Sequence, residues 1–263
     1  MFELNKIYNE KCSKTLRRMY EENYKFDLIL TSPPYNTGRP SNSERSRNHW
    51  EGRYDVHIDA MTSEQYVKAI TKLFNMFDKT LQKNGVILWN VSYGSDASVT
   101  TQGIGLVWLS IADIITNSPF TVADRIIWKK NSALPNNSSP NKLTRIVEDI
   151  FVFVRKDEYK TFQANKEVSK VGENGQTYYK NYFNFIEARN NDGACPYNKA
   201  TYSSDMCTQV LSLYAKEGQT VYDPFMGSGT TAVACKKMGL NFIGSEISEN
   251  QVKFSYERLD KIN

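Results

Sequence analysis

The chain has little of the chemistry on which most hydrolases and metal enzymes depend. Its 263 residues include two histidines, His49 and His57, which disfavours both a Ser-His-Asp hydrolase and a histidine-rich metal centre. The four cysteines (Cys12, Cys195, Cys207 and Cys235) form no C-x-x-C pair, so structural zinc is not expected, and no metal site is assigned. Long apolar runs are missing. Ile150-Phe-Val-Phe-Val154 is among the longest, far short of the ~20 residues that cross a bilayer. No basic segment followed by an apolar one appears near Met1, so the expectation is a cytoplasmic protein without a membrane partner. Charge of one sign is scarce too. Lys+Arg 33 against Asp+Glu 29 leaves +4, which permits a nucleic-acid partner without requiring one. The remainder, 40% apolar and 24% charged, is ordinary globular composition and excludes a disordered or fibrous chain. A chain of this length buries enough core to need neither disulfides nor metal.

Strand and helix patterns alternate along the sequence. Phe26–Leu30 reads as a buried strand stopped by two prolines, and Val86–Val91 as another. Thr62 with Gln65 forms a capping box opening a helix to about Leu81, with Tyr66, Ile70, Leu73, Phe74 and Phe77 at helical spacing. A helix from Gly105 to about Ile115 precedes strands at about Arg125–Lys129 and Ile150–Val154, and Ser203–Tyr214 reads as a further helix. The chain closes with strand 220–223, a Gly-rich turn, helix 230–237, strand 241–246 and helix 250–259. The fold class expected is α/β, a mostly parallel doubly wound sheet in a single domain spanning 1–263. Two stretches stand apart: a polar loop at about 36–59, and a polar, aromatic stretch at about 157–199 that reads as an insertion.

Asp223-Pro-Phe-Met-Gly-Ser-Gly-Thr-Thr231 lies between a strand and a helix, where α/β folds bind nucleotides. Gly227 and Gly229 allow close backbone approach, and Glu246 ends the next strand, where an acid can accept both hydroxyls of a ribose. The spacing is neither G-x-G-x-x-G nor a phosphate loop, so a ligand with a ribose but no phosphate fits better, S-adenosylmethionine being one. A tight turn beside a surface acid is the bland alternative. Ser32-Pro-Pro-Tyr35 ends another strand, and strand ends in an open parallel sheet converge on one crevice. Two prolines fix the backbone so that the Ser32 hydroxyl and Pro33 carbonyl form adjacent acceptors, with Tyr35 offering a flat face for a base. Its bland alternative is a rigid loop.

Together these segments resemble the β-class DNA amino-methyltransferases, in which [Ser/Asp/Asn]-Pro-Pro-[Tyr/Phe] precedes Phe-x-Gly-x-Gly by most of the chain. Here Ser32-Pro-Pro-Tyr35 precedes Phe225-Met-Gly-Ser-Gly229 in that order. Ile127-Trp-Lys-Lys130, Pro135 and Arg145 followed by Glu148-Asp-Ile150 are similar to the family's middle signature. The resemblance implies catalysis by Ser32, Pro33, Pro34 and Tyr35. It implies S-adenosylmethionine binding by Lys11, Cys12, Thr31, Asp223, Pro224, Phe225, Gly227, Ser228, Gly229, Thr230 and Glu246. DNA is the implied partner, contacted by Arg39, Arg45, Arg47, Arg53, Lys142 and Arg145, with target recognition in the 157–199 insertion; a homodimer is left open. Two departures stand out. Lys11-Cys12 replaces the family's Asp before a Cys-like residue, which points to backbone contact with adenine. The family's His-Pro-x-x-x-Pro segment survives only as Asn198-Lys-Ala-Thr-Tyr202.

The implied reaction is methyl transfer to an exocyclic amine of a base flipped from the duplex, cytosine N4 ahead of adenine N6 because Ser opens the motif. Carbon-5 methylation is disfavoured, since no Pro-Cys dipeptide supplies its thiol. An RNA or protein-amide methyltransferase would place the cofactor turn first, and a non-catalytic subunit would tend to lose the tetrapeptide or the glycines.

Overall fold

The computed structural model describes residues 2–36, 61–92, 104–133, 135, 137, 140, 143–193, 195–198 and 201–262. Ten strands and six helices follow in the order β1 (Lys6–Tyr8), α1 (Cys12–Glu21), β2 (Phe26–Thr31), α2 (Ser63–Thr80), β3 (Leu81–Val91), α3 (Ile104–Asn117), β4 (Phe120–Lys130), β5 (Val147–Arg155), β6 (Val168–Val171), β7 (Thr177–Tyr179), β8 (Phe185–Ala188), α4 (Ser204–Ser212), β9 (Thr220–Asp223), α5 (Thr230–Lys237), β10 (Asn241–Ser245) and α6 (Glu249–Leu259) among the described residues. Eight of the strands form one sheet in the order β1-β10-β9-β2-β3-β5-β4-β8, and β6 and β7 form a separate hairpin. Within that sheet β5 alone pairs antiparallel with its neighbours β3 and β4. The sheet is therefore mostly parallel, as the alternating pattern predicts.

Alternation along the central strands splits the core into two layers. Leu28, Leu30, Val86 and Leu88 pack with Met206, Val210 and Ala232 of α4 and α5. Ile29, Ile87 and Trp89 pack on the opposite face with Leu16, Phe74 and Phe77 of α1 and α2. Their rings interlock, Phe74 meeting Trp89 edge-on at 5.0 Å and Phe153 at 4.8 Å between centroids.

β2 and β9 are parallel neighbours, with Leu28 opposite Val221 and Ile29 opposite Tyr222. From β2 the chain crosses through α2 to β3, and from β9 through α5 to β10 on the other face. The two crossovers diverge at the β2–β9 junction, so the carboxyl ends of these strands open a crevice there.

The elements differ from the sequence reading in several places, one being β4, which begins at Phe120, five residues ahead of the expected start near Arg125. β1 and α1 went unread, being a three-residue strand and a helix whose buried face is only Thr15, Leu16 and Met19. β3 begins at Leu81, five residues early, because a register shift opposite Phe26–Leu28 absorbs Asn84 (φ 58) and Gly85. A Cβ on Gly85 would stand 2.8 Å from the Asp27 carbonyl, so only glycine fits that bulge. The 157–199 stretch is less separate than its composition suggests. Phe185–Ala188 pairs parallel with β4 as the edge of the main sheet, leaving the β6–β7 hairpin as the projecting part.

Candidate active site

The prolines after β2 bring Ser32, Pro33 and Pro34 to the carboxyl edge of the sheet, next to the turn after β9. Ser32, Pro33 and Pro34 line one cavity of about 440 Å³ together with Pro224–Ser228, Thr230 and Glu246. Two motifs nearly 200 positions apart thus share a wall. Lys11 and Cys12 line it too, from the start of α1, and burial pushes the Cys12 thiol up to about 11.

The tetrapeptide is held from several sides. The Pro34 carbonyl accepts the Tyr66 hydroxyl of α2 at 2.7 Å. Ser32 Oγ lies 2.5 Å from the Tyr35 hydroxyl, which also donates to Asn90 Oδ1 at 3.4 Å. No described residue directs a hydrogen bond at the Pro33 carbonyl, so that acceptor stays available. Tyr35 itself does not line the large cavity. Its ring lines a second one of about 20 Å³ with Trp89, Leu106 and Ile111. Asn36, buried and at φ 50, exchanges two hydrogen bonds with the Met61 backbone, at 2.8 and 2.9 Å.

The Gly-rich turn is organised around two acids. Asp223, fully buried, accepts from Thr31 Oγ1 (2.6 Å), Thr231 Oγ1 (2.6 Å), Phe225 N–H (3.0 Å) and the Tyr202 hydroxyl (3.1 Å). Burial raises its pKa, and the Thr231 and Thr31 hydroxyls pull it back. Thr31, Asp223 and Gly229 therefore stand behind the cavity wall and shape the turn from within. Gly229 (φ 78) serves packing, since a Cβ there would sit 2.6 Å from Ser255 Cβ. Gly227 (φ 54) lines the cavity, where a Cβ would meet Asn198 Nδ2 at 3.3 Å. Glu246 accepts from Gly227 N–H at 2.8 Å and Ser248 N–H at 2.9 Å, and burial raises its pKa against those two bonds.

A family model described as DNA methylase (N6_N4_Mtase) matches residues 26–257. The chain belongs to that family. Among its DNA methylase relatives is type II methyltransferase M.BglII of Bacillus subtilis, 27% identical over 272 residues, covering 97% of this chain and 69% of the relative. PvuII DNA methyltransferase, described as cytosine-N4-specific, superposes with TM-score 0.70 at 16% identity, over 100% of this chain and 89% of its own. The M1.HpyAVI–SAM complex gives TM-score 0.66 at 21% identity, over 97% and 98%. At those identities the two structures show a shared fold.

Sequence reasoning singled out Asn198–Tyr202 without assigning it a role and did not find Gln251; Asn198, Tyr202 and Gln251 all line the cavity of this DNA methylase. Asn198 Nδ2 donates to Gln251 Oε1 at 3.0 Å, and the weak Asn198–Tyr202 likeness to the family segment was the available signal. Of the expected DNA contacts, Arg145 is exposed at the foot of β5. Arg39, Arg45, Arg47, Arg53 and Lys142 lie outside the described residues. No described helix is long and apolar enough to cross a membrane.

Proposed function

We propose that this protein is an S-adenosylmethionine-dependent DNA methyltransferase acting on the exocyclic amine of a flipped base, with cytosine N4 as target. One observation carries the reading: the Ser32–Pro33 acceptors and the Gly227–Glu246 turn open on the same cavity. The donor set suits the cofactor. Glu246 is an acid placed for ribose hydroxyls, the turn holds no lysine for a phosphate, and Lys11, Cys12 and Ile247 flank the remaining wall. When bound, S-adenosylmethionine supplies an electrophilic methyl group.

The protein's part is positioning and electrostatics. An exocyclic amine is a weak nucleophile because its lone pair is delocalised into the ring. Ser32 Oγ and the Pro33 carbonyl accept its two N–H bonds and turn the lone pair out of the ring plane. The prolines keep those acceptors fixed, and Tyr66 holds the Pro34 carbonyl from behind. The amine takes the place of the Tyr35 hydroxyl at Ser32, and stacking on the base requires the Tyr35 ring to turn from the small cavity beside Trp89 towards the large one. Ser32 at the motif's first position supports cytosine N4 over adenine N6.

The β6–β7 hairpin supports DNA recognition within 157–199. Tyr178 and Tyr179 are exposed, and Lys170 and Lys166 lie 5.2 and 5.7 Å from their ring centroids. Flat rings interleaved with cations suit bases and phosphates. Nucleoside analysis by mass spectrometry after methylation of unmodified DNA tests the reading. N4-methylcytosine is the expected product, N6-methyladenine alone overturns the choice of base, and no methylated nucleoside overturns the activity.

A further inference from the structure

Helix α6 carries a polar stripe that methyl transfer leaves without a role. Gln251, Ser255 and Arg258 recur at four- and three-residue steps and share one face of the helix. That face meets the Gly-rich turn. Ser255 Oγ lies 3.1 Å from the Gly227 carbonyl, and its Cβ fills the space Gly229 leaves. Arg258 goes further. Its Nη1 donates to the Ser228 carbonyl (2.7 Å), Ser228 Oγ (3.2 Å) and Thr230 Oγ1 (3.0 Å), while Nη2 pairs with Asp192 Oδ2 at 2.7 Å. Asp192 also accepts the Ser204 N–H, at 2.9 Å, at the first residue of α4. The ion pair is largely shielded, the two side chains being 17% and 18% exposed.

We infer that Arg258 is a positioning residue for cofactor binding. It holds the Ser228 carbonyl and the Ser228 and Thr230 hydroxyls and, through Asp192, ties that turn to the segment that Asp192 and Ser204 bound. Asn198 and Tyr202 of that segment, like Ser228 and Thr230 of the turn, line the same cavity. One guanidinium thus braces the turn directly and, through Asp192, the start of α4, while Gln251, Asp223 and Thr231 hold Asn198 and Tyr202. A planar fork spans a carbonyl, a hydroxyl and a carboxylate at once, whereas a lysine ammonium is a single point with no such reach. Because the turn is shaped before any ligand arrives, losing the fork lowers affinity while turnover at saturation persists. The inference rests on the S-adenosylmethionine reading, and Arg258 lies one residue beyond the matched span of the family model.

The test is calorimetry with S-adenosylmethionine and steady-state methylation kinetics on the full chain and its Arg258→Lys, Arg258→Gln and Asp192→Asn variants. Both Arg258 variants are expected to weaken cofactor binding about tenfold or more, and Asp192→Asn several-fold, with kcat at saturating cofactor within about twofold of wild type. A lowered melting temperature with unchanged Kd would mark a purely structural clamp and overturn the inference. If the Arg258 variants fail to fold, Asp192→Asn decides, and an unchanged KM for cofactor in it overturns the inference. A wild type that binds no S-adenosylmethionine overturns the cofactor reading and this inference together. Binding in the wild type with equal affinity in the variants overturns this inference alone.

Discussion

Glu246 shows how one buried side chain links the turn to solution conditions. Burial raises its pKa, opposed by the Ser248 and Gly227 N–H groups it accepts. Ribose hydroxyls donating to the carboxylate would favour the ionised form, so its pKa in the complex lies below that of the free protein. Affinity is then full above the free-protein pKa and is lost as pH falls through it, at a pH above the ordinary glutamate range. Calorimetry across pH should show this in the wild type and a flatter profile in Glu246→Gln; identical profiles would remove Glu246 from the ribose site. Glu246→Ala also strands two backbone donors, and we expect binding weakened by about 1.5–3 kcal/mol. Gly229→Ala has another signature. At φ 78, with Ser255 Cβ 2.6 Å from the new methyl, it should lower stability by about 1–3 kcal/mol, read as a shift in the denaturation midpoint. The sequence made the glycines and Glu246 visible because each sits in a short contiguous pattern. It could not show that Gly229 faces Ser255, or that Asp223 gathers Thr31 and Tyr202, because those interactions join distant positions.

At the scale of elements, α2 does more than complete a crossover. Its capping box forms as the sequence predicts, with Gln65 N–H donating to Thr62 Oγ1 at 3.2 Å and Thr62 N–H to Gln65 Oε1 at 3.1 Å. One turn later Tyr66 reaches the Pro34 carbonyl, so the start of this helix also fixes the Ser32–Tyr35 turn. Tyr66→Phe should cost about 0.5–1.5 kcal/mol of stability yet lower kcat several-fold with little change in cofactor affinity. Unchanged kcat would detach α2 from catalysis. Tyr35→Ala should cost about ten- to a hundredfold in activity, stacking being worth roughly 1–3 kcal/mol per base. All the helices except α1 were legible in the sequence, as were the strands with an apolar run of their own (β2, β3, β4, β5, β9 and β10). β1, β8 and the hairpin strands are three or four residues long and owe their existence to pairing partners, which leave no local pattern.

For the molecule as a whole, the divergence of crossovers at β2 and β9 makes the order of the two motifs along the chain immaterial to their meeting in space. Each motif needs only its own strand, and those strands pair directly. Alternation of strands and helices, plus two strand-end motifs, thus led to the expectation of one shared crevice, and both motifs line one cavity. The hairpin proposed to meet DNA was less legible, since exposed aromatics look like core residues in sequence. Substituting Lys166 and Lys170 by glutamine should reduce the salt dependence of DNA binding, by about 0.9 in the logarithmic slope for each phosphate no longer neutralised. An unchanged slope would take the hairpin out of the interface.

The two hydrogen bonds between Asn36 and the Met61 backbone have a wider meaning. They join the chain across the two ends of residues 37–60, and the Tyr66 hydroxyl holds the Pro34 carbonyl beside them. The arrangement resembles a socket. It implies that the sequence between Asn36 and Met61 can change while the Ser32–Tyr35 turn keeps its shape, which would let target choice diversify without rebuilding the chemistry. A chain in which a short Gly-Ser bridge replaces residues 38–59 should bind cofactor as the wild type does, and an engineered Asn36→Ala should not.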